Sequence, residues 1–311
     1  MDVSKYSKKA WKSPKLYDKE INDAIDNAKK KSHTAIPQQQ NTPAHVKQDE
    51  TPTQQDNSHN ESTKPTDKAW SHFGETAKVN VPPNDKKTAD MILKQKEVDR
   101  FKTPSSGELN EKQLTDLREG RDKLLQNIEN SRALSEFTGD GYDEFMNRAQ
   151  HDREFYKTLS PYEKDTVDTW NRLQNSQIIP EGTILSRGCH SKQFGPEGSM
   201  PLLDKLDAGH DLTAKDIAEL NAELKKLEGT QFTNPRSSSS SMSPLVANTF
   251  GQIKIEYVAG KGARGLLVGE VGTMGNEHEI VVGNKNIMTI IGAKVVDGIP
   301  YFVIRVDGIP D

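Results

Sequence analysis

The last third of the chain constrains its fold most. "IKIEYVAG", "ARGLLVGE", "HEIVVG", "IMTIIGAKVV" and "PYFVIRV" follow one another between residues 253 and 306, each short, β-branched and set off by Gly or Asn. Runs of this kind read as strands, and "GTILSRG" at residues 182–188 is another. Ahead of the later strands the spacing is helical. Leu114, Leu117, Leu124, Leu125 and Ile128 recur behind Asn110, a candidate N-cap, and predict one core-facing helix. "FTGDGY" at residues 137–142 breaks the chain before a helical stretch, "DEFMNRAQHDREFYKTL". Ser160, Pro161 and Glu163 then occupy N-cap, N1 and N3 of a further helix. Thr213, with Asp216 three residues on, opens one more. Helices first and strands afterwards is an α+β order, unlike the alternation of a dinucleotide fold.

Composition separates this region from what precedes it. The chain of 311 residues is 32% apolar with mean hydropathy -0.81, against roughly 45–50% apolar for globular proteins. Residues 34–86, rich in Gln, Asn, Thr, Pro and Lys, supply the dilution. Too little apolar surface is available there to offset chain entropy. Residues 1–88 are therefore read as a largely disordered polar segment, and 89–311 as the folded domain. Within the former, residues 15–31 place Leu16, Ile21 and Ile25 near one face of a marginal helix.

Net charge -4 and pI near 6.1 give no basic field for nucleic acid. No stretch approaches the about 20 apolar residues of a membrane span, and the basic N-terminus lacks a signal peptide's apolar core. The single cysteine, Cys189, excludes an internal disulfide framework and a cysteine-rich zinc site. The histidines show no HxxxH spacing, so no metal is expected.

Four features bear on chemistry. "GKGARG" at residues 260–265 matches GxGxxG, but a strand-like "LLVGE" follows where the fingerprint needs a helix, so a hairpin turn is expected. Cys189 and His190 are neighbours on a strand and point to opposite faces, which argues against a thiolate–imidazole pair. Glu277 and Glu279 in "GNEHEIVVG" are two apart and emerge on one face. Paired carboxylates can divide the work of base and electrostatic stabiliser, although on spacing alone two exposed charges on an edge strand are the simpler account. Arg187 ends an apolar strand and offers a planar fork to phosphate or carboxylate.

In order and together, these pieces resemble the arginine–serine–glutamate class of mono-ADP-ribosyltransferases, found among bacterial binary-toxin subunits and type III secreted effectors. "GTILSRG" is similar to the strand ending in the motif arginine, "SSSMSPLVANTF" to the Ser-Thr-Ser strand, and "GNEHEIVV" to the ExE motif. "SEFTGDGYDEFMN" resembles the helical entry segment. The likeness spans about Leu109 to Val306. Counting back from Ala247 and Phe250 selects Ser239, Ser240 and Ser241 from five consecutive serines as the motif triplet, with serine at the usual central threonine.

The resemblance implies helices followed by two packed, mostly antiparallel β-sheets around an NAD cleft. It implies NAD as substrate, without a metal. Glu279 would bond the ribose 2'-hydroxyl and support the ribose cation, Ser239 would hold Glu279, and Glu277 would orient the acceptor. A Gln in place of Glu277 goes with asparagine or other acceptors, so Glu277 points to arginine. Arg187 would grip phosphate, the Gly188 backbone would meet the nicotinamide carboxamide, and Phe250 would pack near the ring. The basic residue usual three positions beyond that Phe is Ile253 here, with Lys254 as its substitute. Tyr142 and Asn147 are one residue further apart than in close relatives. The loop "GEVGTMGN" lacks the aromatic that actin-modifying members carry, which turns the expectation away from actin.

The function so implied is transfer of ADP-ribose to arginine of a target protein, by a monomer that binds neither nucleic acid nor membrane. Residues 1–88 are expected to serve export, chaperone binding or packaging, with a secretion chaperone as a further expected partner. Export without a cleavable signal peptide and action in a host cytosol are expected, with the bacterial cytoplasm as alternative. An NAD glycohydrolase, and a catalytically silent binding module on the same fold, are the competing readings.

Overall fold

Side-chain caps decide where the helices begin. In the computed structural model, which describes residues 76–139, 141–194, 198–233, 236–269 and 279–309, reciprocal capping boxes open three of them. Asn110 and Gln113 start α2 (Glu111–Leu125), a stretch preceded by α1 (Pro83–Val98). The expected single helix from Asn110 to Ile128 is in fact two. Asn127 accepts from the amides of Glu129 and Asn130, opening α3 (Ile128–Phe137) and leaving Ile128 exposed. A π-helical turn, Tyr142–Met146, runs into one helical turn, Asn147–Ala149. Asp152 then caps α4 (Arg153–Thr158), which divides the second expected helix as well. Ser160 and Glu163 box α5 (Pro161–Leu173), with Pro161 at N1 as anticipated. After α6 (Pro201–Asp207), Thr213 and Asp216 box α7 (Ala214–Leu227).

Ten strands among the described residues form one hydrogen-bonded sheet. They are β1 (Ala77–Lys78), β2 (Gln177–Ile178), β3 (Ile184–Cys189), β4 (Thr230–Thr233), β5 (Ser238–Ser241), β6 (Ile253–Ala259), β7 (Arg264–Leu267), β8 (Glu279–Val282), β9 (Asn286–Val296) and β10 (Ile299–Gly308). Their order is β1-β4-β9-β10-β6-β3-β5-β8-β7-β2. Every neighbouring pair is antiparallel except β6 with β10. Two separate sheets were expected, whereas the ladders are continuous. The seam is narrow: β3 pairs with β6 along six residues but meets β5 only at Ser186 and Ser241.

"GKGARG" is not a hairpin. It links β6 to β7, which lie in different halves of the sheet. No helix follows it, so the dinucleotide fingerprint fails on structure as it did on context. The tight hairpin is β9–β10, where Asp297 at φ 49° and Gly298 at φ 78° supply the two left-handed positions of a two-residue turn.

Both faces of the central strands are covered, which is why "PYFVIRV" reads as nearly continuous apolar sequence. Phe302, Ile304 and Val306 pack with Leu203, Leu220 and Leu224, while Tyr301 and Val303 pack with Ala89, Ile92 and Leu93 of α1. A third cluster joins Leu134, Phe137, Met146 and Trp170 to Leu266 and Val281. Helix α1 approaches β9 so closely that a Cβ on Gly292 would stand 2.7 Å from the Ala89 methyl.

Residues 77–88, assigned by composition to the polar segment, belong to the fold. β1 pairs with β4, and α1 starts at Pro83. Its mostly polar sequence buries only Ala89, Ile92, Leu93 and the lysine Lys96, so the stripe is weak when read from sequence. The helix expected at residues 15–31 lies outside the described residues.

Candidate active site

The five serines have five different environments, and none is a linker. Ser237 receives the Trp170 indole at 3.3 Å and donates its hydroxyl to the side chain of Gln150 at 2.6 Å, its amide going to the same oxygen at 2.8 Å. Ser238 is fully buried and bonds to Tyr257. Ser239 donates to the Glu279 carboxylate. Ser240 donates to the Ile280 carbonyl at 2.6 Å, and the Ser241 hydroxyl accepts from the Ser243 amide at 3.0 Å. Strand alternation places Ser239, Ser241 and Glu279 on one face, since Ser241 pairs directly with Glu279 and Ser239 with Val281.

Arg187 closes the third side. Its Nη1 donates to the Ser239 carbonyl at 2.5 Å, and its Nε is buried without a hydrogen-bond partner among the described residues. Burial pushes the Glu279 carboxyl above its ordinary range, and the Ser239 hydroxyl and the Arg187 charge pull it partly back. Below Arg187, the Ser186 hydroxyl donates to Glu256 at 2.7 Å, and Glu256 pairs with Lys96 at 2.8 Å in a wholly buried contact.

Arg187, Ser239, Ser241 and Glu279 line a cleft of about 590 Å³. Phe137, Thr138 and Tyr142 form one wall, Val246, Ala247 and Phe250 another, with Gly188, Val268 and Gly269 between. Phe250 stands 46% exposed at the rim. Trp170 stacks on Phe137 at 3.8 Å, and Tyr142 meets Phe137 edge-on at 5.3 Å. Tyr142 lines the cleft, whereas the Asn147 carbonyl is bonded to His151 and Asn147 is absent from the lining.

Two expectations change in kind. Gly188 is required by the chain itself, because a Cβ there would lie 1.8 Å from the Phe250 carbonyl oxygen. Lys254 does not replace the basic residue missing at Ile253. Its ammonium donates to the carbonyls of Asn248, Phe250 and Gly251 at 3.3, 2.9 and 2.8 Å, tying down the loop that carries Phe250. Burial lowers its pKa to about 8.

Cys189 is a core residue, its thiol pushed up to about 12 by burial, and the exposed His190 faces Asp207 at 3.1 Å. Among the described residues no cluster of His, Cys, Asp or Glu could hold a metal. Glu277 lies outside the described residues. Sequence reading missed Gln150, Trp170, Glu256 and Lys96; the contacts of the first three with the site span 67 to 87 residues, and Lys96 lies further still from its partner Glu256. No local pattern signals such contacts.

No protein family profile matches the chain, and no curated protein sequence matches it. Its fold is that of the bacterial mono-ADP-ribosyltransferase toxins. It is similar to C3stau2 from S. aureus, solved with NAD, at TM-score 0.50 and 12% identity, covering 63% of this chain and 96% of that one. It is likewise similar to the C3 exoenzyme of Clostridium limosum at TM-score 0.50 and 14% identity, covering 68% and 99%. At such identities the likeness is one of backbone architecture.

Proposed function

We propose that this protein is an NAD-dependent mono-ADP-ribosyltransferase that moves ADP-ribose to an arginine of a target protein and releases nicotinamide. The observation that carries this is the bond from Ser239 to Glu279, with Arg187 on the Ser239 carbonyl, inside a cleft on this fold. The cleft volume falls within the roughly 300–1,000 Å³ usual for small-molecule sites. The orphaned Nε of Arg187 suits an anionic oxygen such as a phosphate of NAD, and Phe137, Phe250 and Val268 offer apolar surface to flat rings.

In the reaction the bond between ribose carbon and nicotinamide nitrogen breaks, and its electron pair leaves with nicotinamide. Glu279 supports the cation left on the ribose and bonds its 2'-hydroxyl, and Ser239 holds that carboxylate in place. An arginine nitrogen of the target then bonds to the ribose carbon and gives its proton to Glu277. Arg187 holds the diphosphate, with the Gly188 backbone and Phe250 at the nicotinamide. The Glu of the motif favours arginine over asparagine. We further propose a secreted, toxin-like protein acting in a host cytosol, with the residues ahead of β1 serving export, packaging or a secretion chaperone.

Purified protein, labelled NAD and a cell lysate test the reading. Label on protein arginine, abolished by Glu279→Ala and reduced to free ADP-ribose by Glu277→Ala, is expected. Free ADP-ribose alone would assign a glycohydrolase. No NAD turnover in any lysate would remove both.

A further inference from the structure

The β7–β8 ladder ends unevenly beside Glu279. The amides of Val268 and Gly269 both donate to the Glu279 carbonyl, at 2.9 and 3.1 Å, so two residues face one. This is a β-bulge, a device that twists its strand and re-aims neighbouring side chains. The carbonyl of Gly269 in turn accepts from Nη1 of Arg121 at 2.7 Å. Arg121 belongs to α2, is 5% exposed, and lies 148 residues from Gly269 in sequence. One carboxylate oxygen of Asp122 takes its Nε and Nη2 at 2.9 and 2.8 Å, leaving Nη1 for the bulge. Gln177 makes a parallel tie, donating to the Leu117 carbonyl at 2.6 Å and accepting from the Leu267 amide at 2.8 Å.

Burying a guanidinium is costly, and an apolar side chain would dock α2 on β7 at less expense. What the guanidinium adds is a directed bond to one carbonyl. We propose that Arg121 is a positioning residue for the reaction: by fixing the Val268–Gly269 bulge it sets the aim of the Glu279 carboxylate toward Ser239 and the cleft. This rests on the reading of Glu279 given above, and the test separates the two.

Amide hydrogen exchange of Val268 and Gly269 reads the bulge without any substrate. In the full chain, Arg121→Met should accelerate exchange at both amides about ten- to hundredfold, the loss of one hydrogen bond to a charged donor, while amides of β9 keep their protection. Arg121→Lys, which retains the charge and a single donor, should recover part of it. In parallel, kcat for NAD cleavage should fall with KM for NAD unchanged, and the acid limb of the pH profile should move upward, further from the ordinary carboxyl value, as the Ser239 bond that lowers the Glu279 carboxyl weakens. Unchanged exchange in a folded Arg121→Met protein overturns the anchor. Faster exchange with unchanged kcat overturns the positioning role. A wild-type protein that cleaves no NAD removes the functional reading, and exchange then decides the anchor alone. Should Arg121→Met fail to fold, Arg121→Lys carries the same comparison.

Discussion

The Ser239 hydroxyl donates to the Glu279 carboxylate from a diagonal position across the β5–β8 ladder. The same residue offers its carbonyl to Arg187. One serine thus joins the carboxylate to the cation through its two polar ends. Its neighbours, though chemically identical, are committed elsewhere.

Alanine at each serine should therefore give unequal results. Ser239→Ala is expected to lower NAD cleavage about ten- to hundredfold, the worth of a hydrogen bond to a charged group. It should also raise the Glu279 pKa further, since that bond lowers it. Ser240→Ala loses a buried bond to a carbonyl and should cost about 1 kcal/mol of stability. Steady-state kinetics, a carboxyl NMR titration and urea unfolding distinguish the two. An even effect across all five serines would contradict the assignment.

Glu279→Gln should abolish NAD cleavage yet raise the melting temperature at pH 7. The folded protein holds this carboxyl above its ordinary value of 4.5. Its contribution to stability is therefore fully present below the unfolded value and lost as pH rises through the folded one. At neutral pH the buried charge is a net penalty, which the amide removes. Calorimetry at pH 4 and pH 7 should find the gain only at pH 7. In the wild type, NAD cleavage should likewise decline in acid at a pH above 4.5.

Gly188→Ala should be poorly tolerated, because the added methyl would meet the Phe250 carbonyl at 1.8 Å. The loop tied down by Lys254 has to give way. We expect a loss of about 1–3 kcal/mol, the usual cost of overpacking, together with weaker NAD binding, measured by denaturation and ligand titration.

Lys96→Met would leave Glu256 charged and unpaired in the core, where burial already pushes its pKa up. A loss of about 3–5 kcal/mol is expected, as for other broken buried pairs. Removing both charges, with Glu256→Gln added, should restore much of it. Urea unfolding of the single and double variants checks this.

Cys189 should resist thiol reagents until the protein unfolds, since the side chain is buried and its pKa stands near 12. Reaction with an aromatic disulfide in native buffer would contradict its placement.

The sequence alone determined what depends on near neighbours. Ser160 with Glu163 and Thr213 with Asp216 mark helix starts because the contacts span three residues. The β-branched runs became strands, and the resemblance to the Ser-Thr-Ser motif, in register with Ala247 and Phe250, pointed to Ser239 among the five serines. Tertiary structure decided the rest. "GKGARG" has the local chemistry of a hairpin, but strand pairing is settled by which edges meet, and β6 and β7 find other partners. Lys254 sits near the expected cationic position, yet three carbonyls converge on its ammonium and hold it away from that task. Arg121 carries no signal at all in sequence, because its partner is a backbone carbonyl 148 residues away. Local patterns fix the elements; only packing brings distant donors and acceptors within reach, and the aim of Glu279 is set there.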